Sequence, residues 1–200
     1  VNVWHHNLGV ADPGEKHRIY PTRALFTGTG ELADVADFTQ AQHIEAVAVH
    51  ELGHFLVNWK LGAYMRSFSI RDAPSNVIPD AEVCFSYPDT VDARRILVGG
   101  AAGERACDRW LREEGLWTPA RAVYAEVQGQ TDRQDALAED PSITFDGGPN
   151  DYSLLQDEAD GLLDEMWPLL RRGLPGFCDF VRLTGDAACS MLGIRNNPAV

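Results

Sequence analysis

Apolar residues recur at Ile44, Val47, Ala48, Leu52, Phe55, Leu56 and Trp59, spacings of mostly three and four that suit a helix buried on much of its circumference. Thr39 with Gln42 three residues later is a capping-box start. Phe38 stands where a hydrophobic staple would, and Gly62 after Lys60 and Leu61 is a suitable stop. Beyond it, Phe68 and Ile70 alternate with Ser67 and Ser69, so Tyr64 to Arg71 reads as a half-exposed strand. Pro74, Pro79 and Pro88 mark residues 72–88 as a connecting loop.

The same reasoning predicts a second helix from near Asp89 or Thr90 to Gly115. Its middle, Gly99-Gly100-Ala101-Ala102-Gly103, has poor intrinsic helix propensity, which implies that another backbone packs closely there. Thr118-Pro119 opens a third helix by the rule of an N-cap followed by a first-turn proline. Residues 129–149 are polar, acidic and broken by glycine and proline. Asn150 or Pro149 then introduces a fourth helix carrying Leu154, Leu155, Ala159, Leu162, Leu163 and Met166, which Pro168 should kink or interrupt. A last helix is expected from Gly176 to Leu192. Residues 1–37, with Pro13, Pro21 and Gly28-Thr29-Gly30, read as irregular. The sum is a mainly α fold with one small β-sheet, in a single domain spanning residues 1–200.

Composition narrows the function. With 200 residues at 44% hydrophobic, the chain is long enough for one ordinary core. A net charge of −13 and a pI near 4.7 argue against a nucleic-acid surface, which needs clustered Lys and Arg. No stretch approaches the roughly 18 apolar residues of a membrane span, so direct membrane insertion is not expected. Cys84, Cys107, Cys178 and Cys189 include no Cys-x-x-Cys pair, and they read as reduced thiols of a soluble, cytoplasmic protein.

The candidate chemistry lies inside the first helix. His50-Glu51-Leu52-Gly53-His54 puts two imidazoles one turn apart on a shared face, the spacing that lets both bind one metal ion. Burying two unpartnered imidazoles beside a carboxylate would be costly, so a metal is the better explanation. Glu51 is then placed to take a proton from an activated water. A catalytic zinc commonly has three protein ligands. The eight residues after His54 contain no His or Glu, so the third ligand is distant, and side-chain chemistry alone does not choose it. His43, a heptad before His50, is a candidate for a supporting role.

Three motifs in order resemble FtsH-type zinc metallopeptidases. These are His50 to Val57, the small-residue segment Leu97 to Ala106, and Gly148-Pro149-Asn150-Asp151, which is similar to the family's Ala-Ser-Asn-Asp. Phe68-Ser69-Ile70 falls where that family has a strand beside its active site. The resemblance implies one Zn2+ per chain held by His50, His54 and Asp151, with Glu51 as catalytic base. Asp157, Glu158 and Asp160 are rival carboxylates on the following helix. Position 103 is Gly where the family usually has Ala, residues 116–147 form a longer acidic insert, and these 200 residues include neither the family's ATPase module nor its membrane helix. The function expected is a zinc-dependent endopeptidase acting on unfolded or extended polypeptides, which pair with an edge strand near residues 66–70. The alternative is an inactive metal-binding adaptor of the same build. Polypeptide substrates are the expected partners, with homo-oligomerisation left open.

Overall fold

The computed structural model describes residues 2–5, 20–23, 36–71, 73, 78–89, 91–145, 148–179 and 181–199. Strands β1 (Asn2–His5) and β2 (Tyr20–Arg23) pair antiparallel, so these two stretches are not the irregular chain expected for residues 1–37. Pro13 and Gly28-Thr29-Gly30 lie outside the described residues.

Helix α1 (Gln40–Lys60) begins as predicted. The Thr39 hydroxyl accepts from the Gln42 amide at 3.3 Å, and the Thr39 amide donates to Gln42 Oε1 at 2.9 Å. Phe38 meets the His43 ring edge-on at 5.4 Å, which is the staple contact. Every residue from Ala46 to Asn58 is buried except the half-buried Glu51, so α1 is a central helix covered all round. Helix α2 (Ala93–Glu113) packs along it. A Cβ on Gly53 of α1 would lie 2.7 Å from the Ala102 carbonyl oxygen, which is the close backbone approach that the small residues predict. The α2 start falls at Asp92, whose carboxylate caps the Arg94 amide, a few residues later than expected.

On the other side of α1, β3 (Tyr64–Ile70), β4 (Ala81–Ser86) and β5 (Arg182–Thr184) form an antiparallel sheet in the order β4-β3-β5. Phe68 of β3 packs on Phe55 of α1 at 6.3 Å between ring centroids. The strand β3 is as predicted, but β4 lies in the expected loop 72–88 and β5 in the expected last helix. Both additions depend on pairing with β3, a long-range interaction that local propensity does not register. Only α6 (Gly185–Leu192) remains of that last helix, after a 3-10 turn at Leu174–Gly176.

Helix α3 (Pro119–Gln128) starts at the predicted Thr118 cap. Helix α4 (Gln130–Glu139) follows after the single residue Gly129, where loop was expected. Helix α5 (Ser153–Gly173) continues through Pro168 without interruption. Among the described residues six helices dominate, so the mainly α class with a small sheet beside α1 holds. Among the described residues no helix is long and apolar enough to cross a membrane. Cys107 and Cys189 are buried, Cys84 and Cys178 are half-buried, and none is in a disulfide.

Candidate metal centre

The i, i+4 spacing brings the Nε2 atoms of His50 and His54 to 3.1 Å from each other. Asp132 of α4 completes a triangle, its Oδ2 lying 3.4 Å from His50 Nε2 and 3.3 Å from His54 Nε2. Three donors each about 2.0–2.1 Å from a tetrahedral zinc ion stand about 3.3–3.4 Å apart, so the triangle has the dimensions such an ion requires. It is the one group of three or more such side chains, among the described residues, with this convergence.

Surrounding groups aim the two imidazoles. His54 Nδ1 lies 2.9 Å from the Gly99 carbonyl, so its N–H donates there and its Nε2 lone pair is left facing the triangle. His50 Nδ1 is buried without a hydrogen-bond partner among the described residues. Gly103 is the floor under both rings: a Cβ there would stand 2.3 Å from His54 Nε2 and 2.7 Å from His50 Nε2. Alanine at position 103 would therefore collide with the imidazoles in their present positions.

The charges are strongly coupled. Burial opposes a charged His54 imidazole, but the Asp132 carboxylate, through charge and hydrogen bonding, outweighs it and raises the pKa to about 10. Burial likewise works against ionised Asp132, and the two imidazoles reverse this and hold it far below the usual carboxylate range. Burial pushes the Glu51 carboxyl up from its ordinary value, and both histidines pull part of that back. A carboxyl raised in this way is better matched to proton transfer near neutral pH than an ordinary surface glutamate.

The triangle opens into a cleft of about 1030 Å³ lined on one side by Pro79 to Val83 with Phe85, and on the other by Thr131, Asp132, Asp135, Ala136 and Glu139 of α4. Among the described residues no lysine or arginine lines it. Arg71 pairs with Asp80 and Glu82, while Asp135 and Glu139, one turn apart on α4, add exposed negative charge.

No family model matches this chain, and no curated protein matches it. The site therefore rests on its own geometry.

That geometry groups His50 and His54 with Asp132, and not with Asp151, the expected third ligand. Asp151 is buried, but its carboxylate does not join the histidine pair. Its Oδ1 accepts from the Ser153 amide at 2.9 Å, an aspartate turn just ahead of α5, whose N-cap is Tyr152. Two of the three rivals are engaged elsewhere, Glu158 pairing with Arg94 and Asp160 taking a two-pronged bond from Arg105 at 2.9 and 3.0 Å, and the exposed Asp157 does not join the histidine pair either. His43 lies 3.3 Å from the Tyr124 hydroxyl in a buried aromatic group with Phe38, away from the triangle. Asp132 could have been found by reading Gln130–Glu139 as a helix, since Asp132, Asp135 and Glu139 then share one face. Nothing local identified Gly99 and Gly103 as parts of the site.

Proposed function

We propose that this protein is a zinc-dependent endopeptidase that hydrolyses unfolded or extended polypeptides, with Glu51 as general base. The observation that carries this reading is the triangle of His50, His54 and Asp132 at zinc-ligand dimensions, next to the half-buried Glu51 in an open cleft. The ordered resemblance to FtsH-type peptidases supports it, with Asp132 in place of Asp151.

His50, His54 and Asp132 would hold the ion. When bound, zinc supplies Lewis acidity, which acidifies water and polarises a carbonyl. Glu51 accepts the water proton and later returns one to the leaving amine. The Gly99 carbonyl keeps His54 in the tautomer that presents Nε2. The substrate backbone pairs along β4. Expected pairing near residues 66–70 is corrected, because β3 is the central strand with β4 on one side and β5 on the other. The β4 segment lines the cleft, and its outer edge faces no other strand among the described residues. The negative cleft favours neutral and basic peptides over acidic ones.

The test is elemental analysis together with cleavage of an unstructured fluorogenic peptide, with a chelator control. Glu51→Gln should retain zinc and fold while losing roughly a hundredfold or more in turnover, the share a general base supplies. Near-wild-type turnover in Glu51→Gln, or wild-type protein without bound zinc, would refute the proposal.

A further inference from the structure

Helix α4 carries Asp132 yet has little apolar grip on the molecule. Of its ten residues only Arg133 and Ala136 are buried. Arg133 is fully buried, at 0% exposure, and its guanidinium pairs with the Glu104 carboxylate of α2, itself 3% exposed. Arg133 also donates to the Glu126 carbonyl in the last turn of α3 at 3.3 Å, and lies over the Tyr152 ring at 5.6 Å. The second Glu104 oxygen accepts from Gln156 Nε2 of α5 at 2.5 Å. Gly129, which joins α3 to α4, sits on the same carboxylate: a Cβ there would stand 2.8 Å from Glu104 Oε2.

Chain neighbours connect this pair to the triangle. Glu104 follows Gly103, which lies beneath both imidazoles, and Arg133 follows Asp132, which completes the triangle. The contacts close a ring, from the histidines through Gly103-Glu104 and Arg133-Asp132 back to the histidines. We infer that the buried Glu104–Arg133 pair consists of positioning residues that fix Asp132 opposite the two histidines, an inference resting on the metal-site reading above. Apolar contacts alone would let so thinly buried a helix shift along its axis. A guanidinium shared between one carboxylate and one carbonyl admits a single register. A buried ion pair often adds little stability over an apolar pair of similar volume, so its use here is better explained by register than by stability.

That distinction supplies the test. In the full chain, Glu104→Leu combined with Arg133→Met removes both charges and fills their space, so stability can be kept while the register device is lost. Zinc affinity is measured by competition with a chromophoric chelator, and stability by urea unfolding of the metal-free protein. The expected result is near-wild-type unfolding with zinc bound roughly 10–100-fold more weakly, the usual effect of losing a group that orients a ligand. Wild-type affinity in a normally stable double variant would overturn the inference. If that variant does not fold, Glu104→Asp decides, since it keeps the charge but shortens its reach. Weakened zinc binding in folded Glu104→Asp supports positioning, and unchanged binding overturns it. Wild-type protein that takes up no zinc would instead remove the metal site itself, a result separable from either variant's behaviour.

Discussion

On α1, His50 and His54 stand in a stretch where every residue from Ala46 to Asn58 except Glu51 is buried; on α4, the buried residues are Arg133 and Ala136 alone. The two histidines are thus set by helical spacing within an apolar core, and cannot move without repacking the centre of the molecule. Asp132, by the inference above, is set by one ion pair made between α2 and α4. The difference separates two kinds of precision: dense packing fixes α1, whereas a directional charged contact fixes α4 with far less buried surface. A site built this way should fail differently when each half is disturbed.

The largest effect is expected where the halves meet. Asp132→Asn should weaken zinc binding more than a hundredfold, beyond the 10–100-fold typical of an outer partner. Asp151→Ala should leave zinc affinity unchanged and cost about 1 kcal/mol of stability through the lost hydrogen bond to the Ser153 amide. Chelator competition and urea unfolding measure both. Loss of zinc in Asp151→Ala with retention in Asp132→Asn would return the third ligand to Asp151.

Next in size is a pH effect on the metal-free protein. With its pKa raised from 6.5 to about 10, His54 contributes stability that is complete below pH 6.5 and is lost as pH rises toward 10. Asp132, lowered from 3.8, loses its contribution only as pH falls below that ordinary value. Metal-free protein should therefore weaken on the order of a few kcal/mol between pH 6.5 and 10, and Asp132→Asn should flatten that slope. A flat wild-type profile across this window would mean that His54 and Asp132 do not form a charged pair linking the two halves.

On α2, beneath the two imidazoles of α1, Gly103→Ala tests how tightly the packed half is specified. The added methyl must displace both imidazoles, and overpacking of this kind costs about 1–3 kcal/mol. Zinc affinity should fall with it, because the displaced rings include two ligands. Unchanged stability and binding would show that the rings have room the structure does not reveal.

The two halves were also unequally legible in the sequence. The Thr39 cap, the apolar spacing through Trp59, the strand from Tyr64 and the Thr118-Pro119 start all express local rules, and the structure follows each. The His-Glu-x-x-His spacing belongs to the same class, since a helical turn alone brings the two rings together. What was not legible depends on distant partners. Strand β4 and β5 exist through pairing with β3, and the acidic stretch after Gly129 becomes a helix that Glu104 captures from another part of the chain. That Asp132 and not Asp151 faces the histidines was hidden for the same reason: an aspartate before a helix has the same local surroundings whether it bonds a nearby amide or meets distant side chains.

The smallest effect is expected at the start of α1. Thr39→Ala removes the hydroxyl that accepts from the Gln42 amide and should cost about 1 kcal/mol of stability, a typical loss for a Thr cap. Zinc affinity should stay within about twofold of wild type. His50 lies three turns further on, in a stretch held by core contacts at nearly every position, so fraying of the first turn has no rigid path to the imidazoles. Set against Glu104→Asp, the variant separates the two modes of support directly: one should lower stability while sparing the metal, the other should weaken the metal in a folded protein. A tenfold or greater loss of zinc binding in Thr39→Ala would show that the histidines depend on the start of α1 much as Asp132 depends on Arg133.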